Sequence, residues 1–319
     1  MKKILITGVG GFIGSQLSIK LLKNYKIIGI DNLDNYYSVK LKKLRIKILK
    51  KHSNFKFYKI DIRNIKSLNN IISNNNFDYV FHFAAQAGVR YSVIKPNKYT
   101  TTNIFGTLNL LNLLKNKKIK KIFLASSSSV YGDMKKFPTK ETDKLNPKNH
   151  YANTKKINEY TGYYFSKVYN LNIYMLRLFT VYGPYGRPDM FLMKLFKSIY
   201  TKDKFYLNNK GNHERDFTYI YDVVHILTKL MKIKIKKKYD IFNICSNKPL
   251  NISKLIKHIN SKIVKVKYTN ISKNPLDVNK THGSNNKVTK LINYKKFTDA
   301  KIGIKKLFEW YNDNEIYKL

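Results

Sequence analysis

Apolar residues fall into short continuous runs separated by longer amphipathic stretches. Lys3 to Thr7 (KILIT) is one such run, stopped by glycines, and Phe12 to Leu22 follows with apolar residues at helical spacing. That order predicts strand, Gly-rich turn, helix. Lys26 to Asp31 (KIIGID), Phe55 to Asp61, Tyr79 to Ala84 (YVFHFA), Lys121 to Ala125 (KIFLA) and Ile173 to Leu178 (IYMLRL) read as further buried strands, each followed by a segment of helical length. Strands that are continuously apolar and alternate with helices predict a parallel sheet covered on both faces. From about Phe179 the pattern changes to loops rich in Gly, Pro and Tyr and then short mixed elements, with Tyr239 to Ile244 (YDIFNI) as another strand. The expectation is an α/β fold, a doubly wound parallel sheet from residues 1–178 plus 217–247. A smaller C-terminal lobe would come from 179–216 plus 248–319.

With 319 residues and 43% apolar content the chain is too apolar to be disordered. Its net charge of +43, from 62 Lys+Arg against 19 Asp+Glu, would ordinarily suggest nucleic acid or an anionic membrane. The make-up of the charge argues otherwise. Only Arg45, Arg63, Arg90, Arg177, Arg187 and Arg215 are arginine, and Lys, Asn, Ile and Tyr crowd the sequence as A/T-rich codons would produce. Lysine runs such as 234–238 and 40–51 lack the aromatic or Gly interleaving of RNA binders, so they read as a solvated surface with no specific nucleic-acid partner. Arginines that persist against such a drift are the first places to look for function. The lone Cys245 excludes a disulfide framework, and no Cys/His cluster has zinc spacing, so no metal is expected. No run approaches the roughly 18 apolar residues of a membrane span, and the start MKKILITGVGG lacks a leader's apolar core. A cytoplasmic location is expected.

Gly8-x-x-Gly11-x-x-Gly14 lies between the first strand and first helix. Small residues there allow a tight turn, close approach of a pyrophosphate and packing of helix on sheet, while the helix N-terminus offers free N–H groups and partial positive charge. Asp31 ends the second strand about 20 residues on, where a carboxylate accepts hydrogen bonds from a ribose diol and repels a 2′-phosphate. The pair favours NAD over NADP, against the blander reading of a glycine turn and a surface Asp. Asp61 and Ile62, at the end of the third predicted strand, could bracket the adenine.

The stretches TGVGGFIG (7–14), DNLDNYY (31–37), HFAAQAGVRYS (82–92), SSSSVYG (126–132), YANTK (151–155), LRLFTVYGPYGRPDM (176–190) and RDFTYIYD (215–222) resemble the extended short-chain dehydrogenase/reductases. Among these the chain is most similar to the nucleotide-sugar epimerases, above all the UDP-glucuronate 4-epimerases, through AAQAGVRYS and YGPYGRPDM. The resemblance implies tightly held NAD, a UDP-sugar substrate and a lobe that closes on the nucleotide. It implies a homodimer built on two helices, here 105–117 and 155–169. It also implies that Gly8, Gly11, Phe12, Ile13, Gly14, Asp31, Asn32, Asp61, Ile62, Ala84, Ala85, Tyr151 and Lys155 hold the cofactor. Val9 and Tyr221 depart from the family, which has a small and an acidic residue there.

Tyr151-x-x-x-Lys155 places both side chains on one helical face, so that an ammonium can lower the phenol's pKa and reach the nicotinamide ribose. Such spacing arises by chance about four times in a chain this rich in Tyr and Lys, so its place 20 residues after Tyr131 decides. By resemblance, Ser127 is the third catalytic member and hydrogen-bonds the sugar oxygen, with Ser128 the alternative if the register differs by one. A serine-rich strand end satisfying its own backbone is the competing reading. Dehydratases of the family carry an Asp-Glu pair where this chain has Ser128-Ser129, and decarboxylases carry Glu at the place of Ser129. Without a carboxylate the chemistry stops at reversible oxidation of a carbinol, so epimerisation is expected. Tyr151 would take the 4-hydroxyl proton, Ser127 steady the oxygen and Lys155 hold the phenolate charge.

The resemblance further assigns Arg215 to the diphosphate, Asp277 to the uridine ribose and Arg187 to the C6 carboxylate of a glucuronate, with Thr180 and Arg90 near the sugar. Each arginine could instead form a surface ion pair. The alternatives carried forward are a UDP-glucose or UDP-N-acetylhexosamine 4-epimerase and, from another class, a non-catalytic Rossmann-fold binding protein.

Overall fold

A computed structural model describes residues 1–318. The strands β1 (Lys3–Thr7), β2 (Lys26–Asp31), β3 (Phe55–Lys59), β4 (Tyr79–His82), β5 (Lys121–Ser127) and β6 (Ile173–Leu178) join Tyr239–Ile244 in a seven-stranded sheet. The spatial order is Tyr239–Ile244, β6, β5, β4, β1, β2, β3, and every pairing is parallel. Both faces are buried, which is why the strands are apolar throughout. Ile4, Ile6, Phe81 and Leu176 belong to one core cluster, whereas Leu5, Val80, Leu124 and Met175 belong to the other. Phe81 is fully buried and stacks on Phe123 at 4.7 Å, so Phe81→Ala should cost ~3–5 kcal/mol.

Three strand ends differ from expectation. β3 stops at Lys59, whose pairing with Asp31 is the last of the ladder and is closed by Ile60 N donating to the Asp31 carbonyl, which leaves Asp61 beyond the strand. β4 ends at His82, where the chain bends toward the cleft. β5 instead runs on through Ser126 and Ser127, which pair with Arg177 and Leu178 of β6. β1 lies between β4 and β2, so successive connections leave it toward opposite edges of the sheet. Such a switch point opens a crevice at the carboxyl ends of the strands.

The smaller lobe holds a sheet of Pro249–Asn251, Glu214–Tyr219 and Thr180–Tyr182, a pair Tyr206–Asn208 with Thr269–Ile271, and the helices Phe191–Tyr200, Ile252–Lys262 and Ala300–Asp313. Residues 217–219, expected with the large sheet, pair instead with Thr180–Tyr182, and the return begins with the helix Ile220–Lys232, which packs on α1 (Phe12–Leu21). Behind the crevice, the Arg177 guanidinium donates through Nε and Nη2 to both oxygens of Glu159 (2.9 and 2.8 Å) and through Nη1 to the Tyr131 hydroxyl and the Glu141 carbonyl. Ser126 Oγ completes this buried knot on Glu159 at 2.6 Å.

Candidate active site

A cleft of about 1300 Å³ runs along the carboxyl ends of the strands and into the lobe. It exceeds the roughly 300–1,000 Å³ of an ordinary ligand pocket. At one end the glycine turn is as tight as its pattern requires. Gly8 has φ +73°, and a Cβ on Gly14 would sit 2.4 Å from the Gly8 carbonyl oxygen. α1 starts at the cleft wall with Gly11 as N-cap, no capping side chain and no acidic residue in its first turn. Phe12, Ile13 and Gly14 line the cleft, so the helix presents uncapped N–H groups to whatever lies there. Asp31 also lines it. Its buried carboxylate accepts from Gly10 N (3.0 Å) and Leu33 N (2.8 Å), and burial raises its pKa despite these bonds and the charges of Lys42 and Arg45.

Asn32, Ile62, Ala84 and Ala85 complete this end. Asp61 does not line it. Its carboxylate is taken by Arg63 (2.9 and 2.7 Å) and by the Asn32 amide, and although burial opposes ionisation, Arg63 holds its pKa at about 2. An anion-seeking helix end and a buried carboxylate 21 residues apart in sequence, across a deep crevice, fit a dinucleotide with a free ribose diol. Among the described residues no group of His, Cys, Asp or Glu could hold a metal ion, and no helix is long and apolar enough to cross a membrane.

At the middle of the cleft, the helix His150–Val168 is capped by Asn149, whose side chain accepts from Ala152 N at 2.9 Å. This sets Tyr151 in the first turn and Lys155 one turn on, facing Ser127 at the end of β5; all three line the cleft. Burial raises the pKa of Tyr151, while a hydrogen bond with Ser127 and the charge of Arg187 pull it back. Lys155 Nζ donates to the Ala125 carbonyl at 2.8 Å and lies 6.0 Å from the centre of the Tyr151 ring. Burial brings Lys155 itself down to about 8. Ser127 Oγ also accepts from Ser129 N and donates to Ser129 Oγ, and Ser128 lines the wall beside it.

The far end gathers Arg90, Thr180, Arg187, Arg215 and Asp277. Arg187 donates through Nε and Nη2 to Asp189 (3.0 and 2.6 Å), each side chain 22% exposed, and Tyr36 Oη donates to the same carboxylate at 3.1 Å. Burial and then Asp189 raise the Tyr36 pKa to about 12, so its proton stays in that bond. Arg90 pairs with Asp277 at 2.7 Å, and Arg215 donates to the carbonyls of Glu214 and Asn279. Sequence reasoning missed Asp189 and Tyr36. Asp189 lay inside the quoted GRPDM stretch, two residues from the arginine it serves. Tyr36 lies in the DNLDNYY stretch, but its bond to Asp189 spans 153 residues of chain and left no local signal.

The chain matches the GDP-mannose 4,6 dehydratase family over residues 5–307. It is 40% identical to a UDP-glucuronate 4-epimerase of Thermodesulfobacterium geofontis over 97% of this chain and 96% of that one. A UDP-glucuronic acid 4-epimerase of Bacillus cereus, solved with UDP-glucuronic acid and NAD, superposes with TM-score 0.91 at 30% identity, covering 98% of this chain and 99% of that one. A UDP-glucose 4-epimerase of Thermotoga maritima, solved with UDP-glucose, superposes at 0.88 with 27% identity over the same shares. With a doubly wound sheet, a dinucleotide turn and the Ser127, Tyr151, Lys155 set all in place, the chain belongs to the GDP-mannose 4,6-dehydratase family of extended short-chain dehydrogenase/reductases.

Proposed function

We propose that the chain is an NAD-dependent nucleotide-sugar 4-epimerase that interconverts UDP-glucuronate and UDP-galacturonate. The observation that carries the choice of sugar is that Arg187 lines the same cleft as Tyr151. A sugar whose 4-hydroxyl meets Tyr151 would then turn its C6 group toward a guanidinium. NAD held at the glycine-turn end of the cleft would supply the hydride acceptor, and then the hydride donor, for C4 of the sugar. Tyr151 receives the 4-hydroxyl proton and gives it back, with the Ser127 hydroxyl steadying the oxygen through both steps. Lys155, held by the Ala125 carbonyl, keeps a cation below Tyr151 and within reach of a ribose hydroxyl. Ser128 and Ser129 offer no carboxylate to expel water, so the keto sugar keeps its oxygens, turns over and is reduced on its other face. The Phe12, Ile13 and Gly14 amides hold the pyrophosphate and Asp31 the adenosine ribose. Arg215 holds the UDP diphosphate, and Asp277 meets the uridine ribose once it exchanges Arg90.

A neutral UDP-hexose is the second reading, and the Arg187–Asp189 pair favours it, because the cation that would meet a carboxylate is already neutralised. Incubating the protein with UDP-glucuronate, UDP-galactose and UDP-N-acetylglucosamine and following products by NMR separates the two. Conversion of UDP-glucuronate alone supports the first reading, and preference for a neutral sugar overturns it. A homodimer fits the exposed stripe Phe105, Ile157, Tyr160, Tyr164 and Val168, which spaces apolar groups along one face of two neighbouring helices. A cytoplasmic location fits the free, buried Cys245.

A further inference from the structure

Arg45 lies on the helix Val39–Leu49, is 1% exposed, and has no carboxylate within ion-pairing distance among the described residues. Its Nη1 donates to the Gly10 carbonyl (2.9 Å) and the Tyr37 hydroxyl (3.1 Å), and its Nη2 to the carbonyls of Tyr185 (2.7 Å) and Gly186 (3.0 Å). Nε finds no partner. A buried cation whose hydrogen bonds all go to neutral acceptors, with the Asp31 carboxylate near enough only to feel its charge, is a costly way to fill space, and an apolar side chain of similar length would do that better. What the guanidinium alone can do is reach in two directions at fixed geometry. One arm ends in the glycine turn of the cofactor end. The other ends in the loop that carries Arg187.

That loop needs to be held. Gly183 sits at φ +141° and Tyr185 at φ +61°, the latter a left-handed conformation that a side chain disfavours and that persists only where its surroundings impose it. Trp310 packs against the Tyr185 ring at 4.7 Å between centroids with the planes tilted by 47°, and Arg45 grips two successive carbonyls, those of the Tyr185–Gly186 and Gly186–Arg187 peptide bonds. We propose that Arg45 is a positioning residue that fixes the Arg187 loop against the glycine turn, so that the sugar-carboxylate end of the cleft takes its place from the cofactor end. The proposal rests on the UDP-glucuronate reading.

The test is a double-mutant cycle on UDP-glucuronate with Arg45→Lys, Arg187→Ala and the pair. An ammonium cannot span both sets of carbonyls, so Arg45→Lys should lower kcat/KM at least tenfold, mostly through KM. In the Arg187→Ala background the same change should have an effect within about twofold, because the loop then carries nothing to position. Additive losses, or a loss confined to kcat, would mark Arg45 as a general structural residue and overturn the proposal. Should Arg45→Lys fail to fold, Arg45→Gln is read in the same cycle, and failure of both to fold also overturns it. If wild type leaves UDP-glucuronate unchanged, the functional reading fails before any variant is made. If wild type and Arg187→Ala behave as proposed and only the cycle is additive, the positioning role fails alone.

Discussion

Replacing Arg187 with alanine removes two things at once from the sugar end of the cleft. A substrate carboxylate loses its cation, a change that costs on the order of 2–5 kcal/mol in a partly desolvated site. Asp189 also loses the partner that now takes both its oxygens at 3.0 and 2.6 Å, keeping only the hydrogen bond from Tyr36. Two carboxylates about 5 Å apart at an effective dielectric near 20 repel by about 3 kcal/mol. The first effect alone predicts roughly a 30-fold or greater fall in kcat/KM for UDP-glucuronate, and the two together, about 5 kcal/mol or more, a fall of at least several thousandfold. UDP-glucose has no charge at C6 and should change by no more than about threefold. Removing Asp189 as well, in Arg187→Ala/Asp189→Ala, should restore one to two decades for UDP-glucuronate by ending the repulsion. Steady-state rates with both sugars across wild type and the two variants measure this directly. If Arg187→Ala handles UDP-glucuronate within threefold of wild type, or both sugars fall together, Arg187 does not read a carboxylate.

Tyr151→Phe should keep the fold and bound NAD while turnover drops by orders of magnitude, since only the proton carrier is lost; near-normal rates would remove Tyr151 from the mechanism. Asp31→Ala should bind NAD more weakly and gain relative tolerance for NADP, and wild type copurifying with NADP would contradict the ribose argument. His82 is buried between the hydroxyls of Thr7 (2.7 Å) and Thr107 (2.9 Å), and burial, then the Lys155 charge, lower its pKa to about 3. Because the unfolded histidine protonates first, near 6.5, this residue's stabilisation is complete above that pH and is lost as pH falls toward 3, about 2 kcal/mol of it by pH 5. Urea midpoints at pH 7 and 5 should therefore fall less for His82→Gln than for wild type, and equal slopes would refute the assignment. Binding to nucleic acid should be weak and vanish between low and physiological salt, and a salt-resistant, sequence-selective complex would contradict the reading of the lysines as solvated surface.

The sheet was legible because both its faces are buried, so β1, β2, β6 and Tyr239–Ile244 stand out as runs dominated by apolar residues. The lobe was not. Its strands are three to six residues long, and residues 217–219 are as buried as a strand of the large sheet, so they read as part of the larger domain although they pair with Thr180–Tyr182. Within the site, the glycine turn, Asp31 and Tyr151 could be read because each is tied to one element at a fixed spacing. Asp61 misled because its strand ends two residues early and a neighbouring arginine takes the carboxylate. The partners of Arg45 could not be read, since Tyr185 reaches it across 140 residues of chain, nor could the hydrogen bond from Tyr36 to Asp189, which spans 153.

The knot of Arg177, Glu159 and Ser126 limits how this sequence can change. Ser126 precedes Ser127, and Glu159 lies on the helix that carries Tyr151, so the knot fastens together the two elements that bear the reacting groups. A lysine at 177 would bring one point charge where the guanidinium serves two carboxylate oxygens, a phenol and a carbonyl at once. An apolar residue at 159 or at 177 alone would strand a buried charge, so the two positions are open to joint exchange for apolar residues and closed to stepwise change, while the exposed lysines around them carry no such constraint.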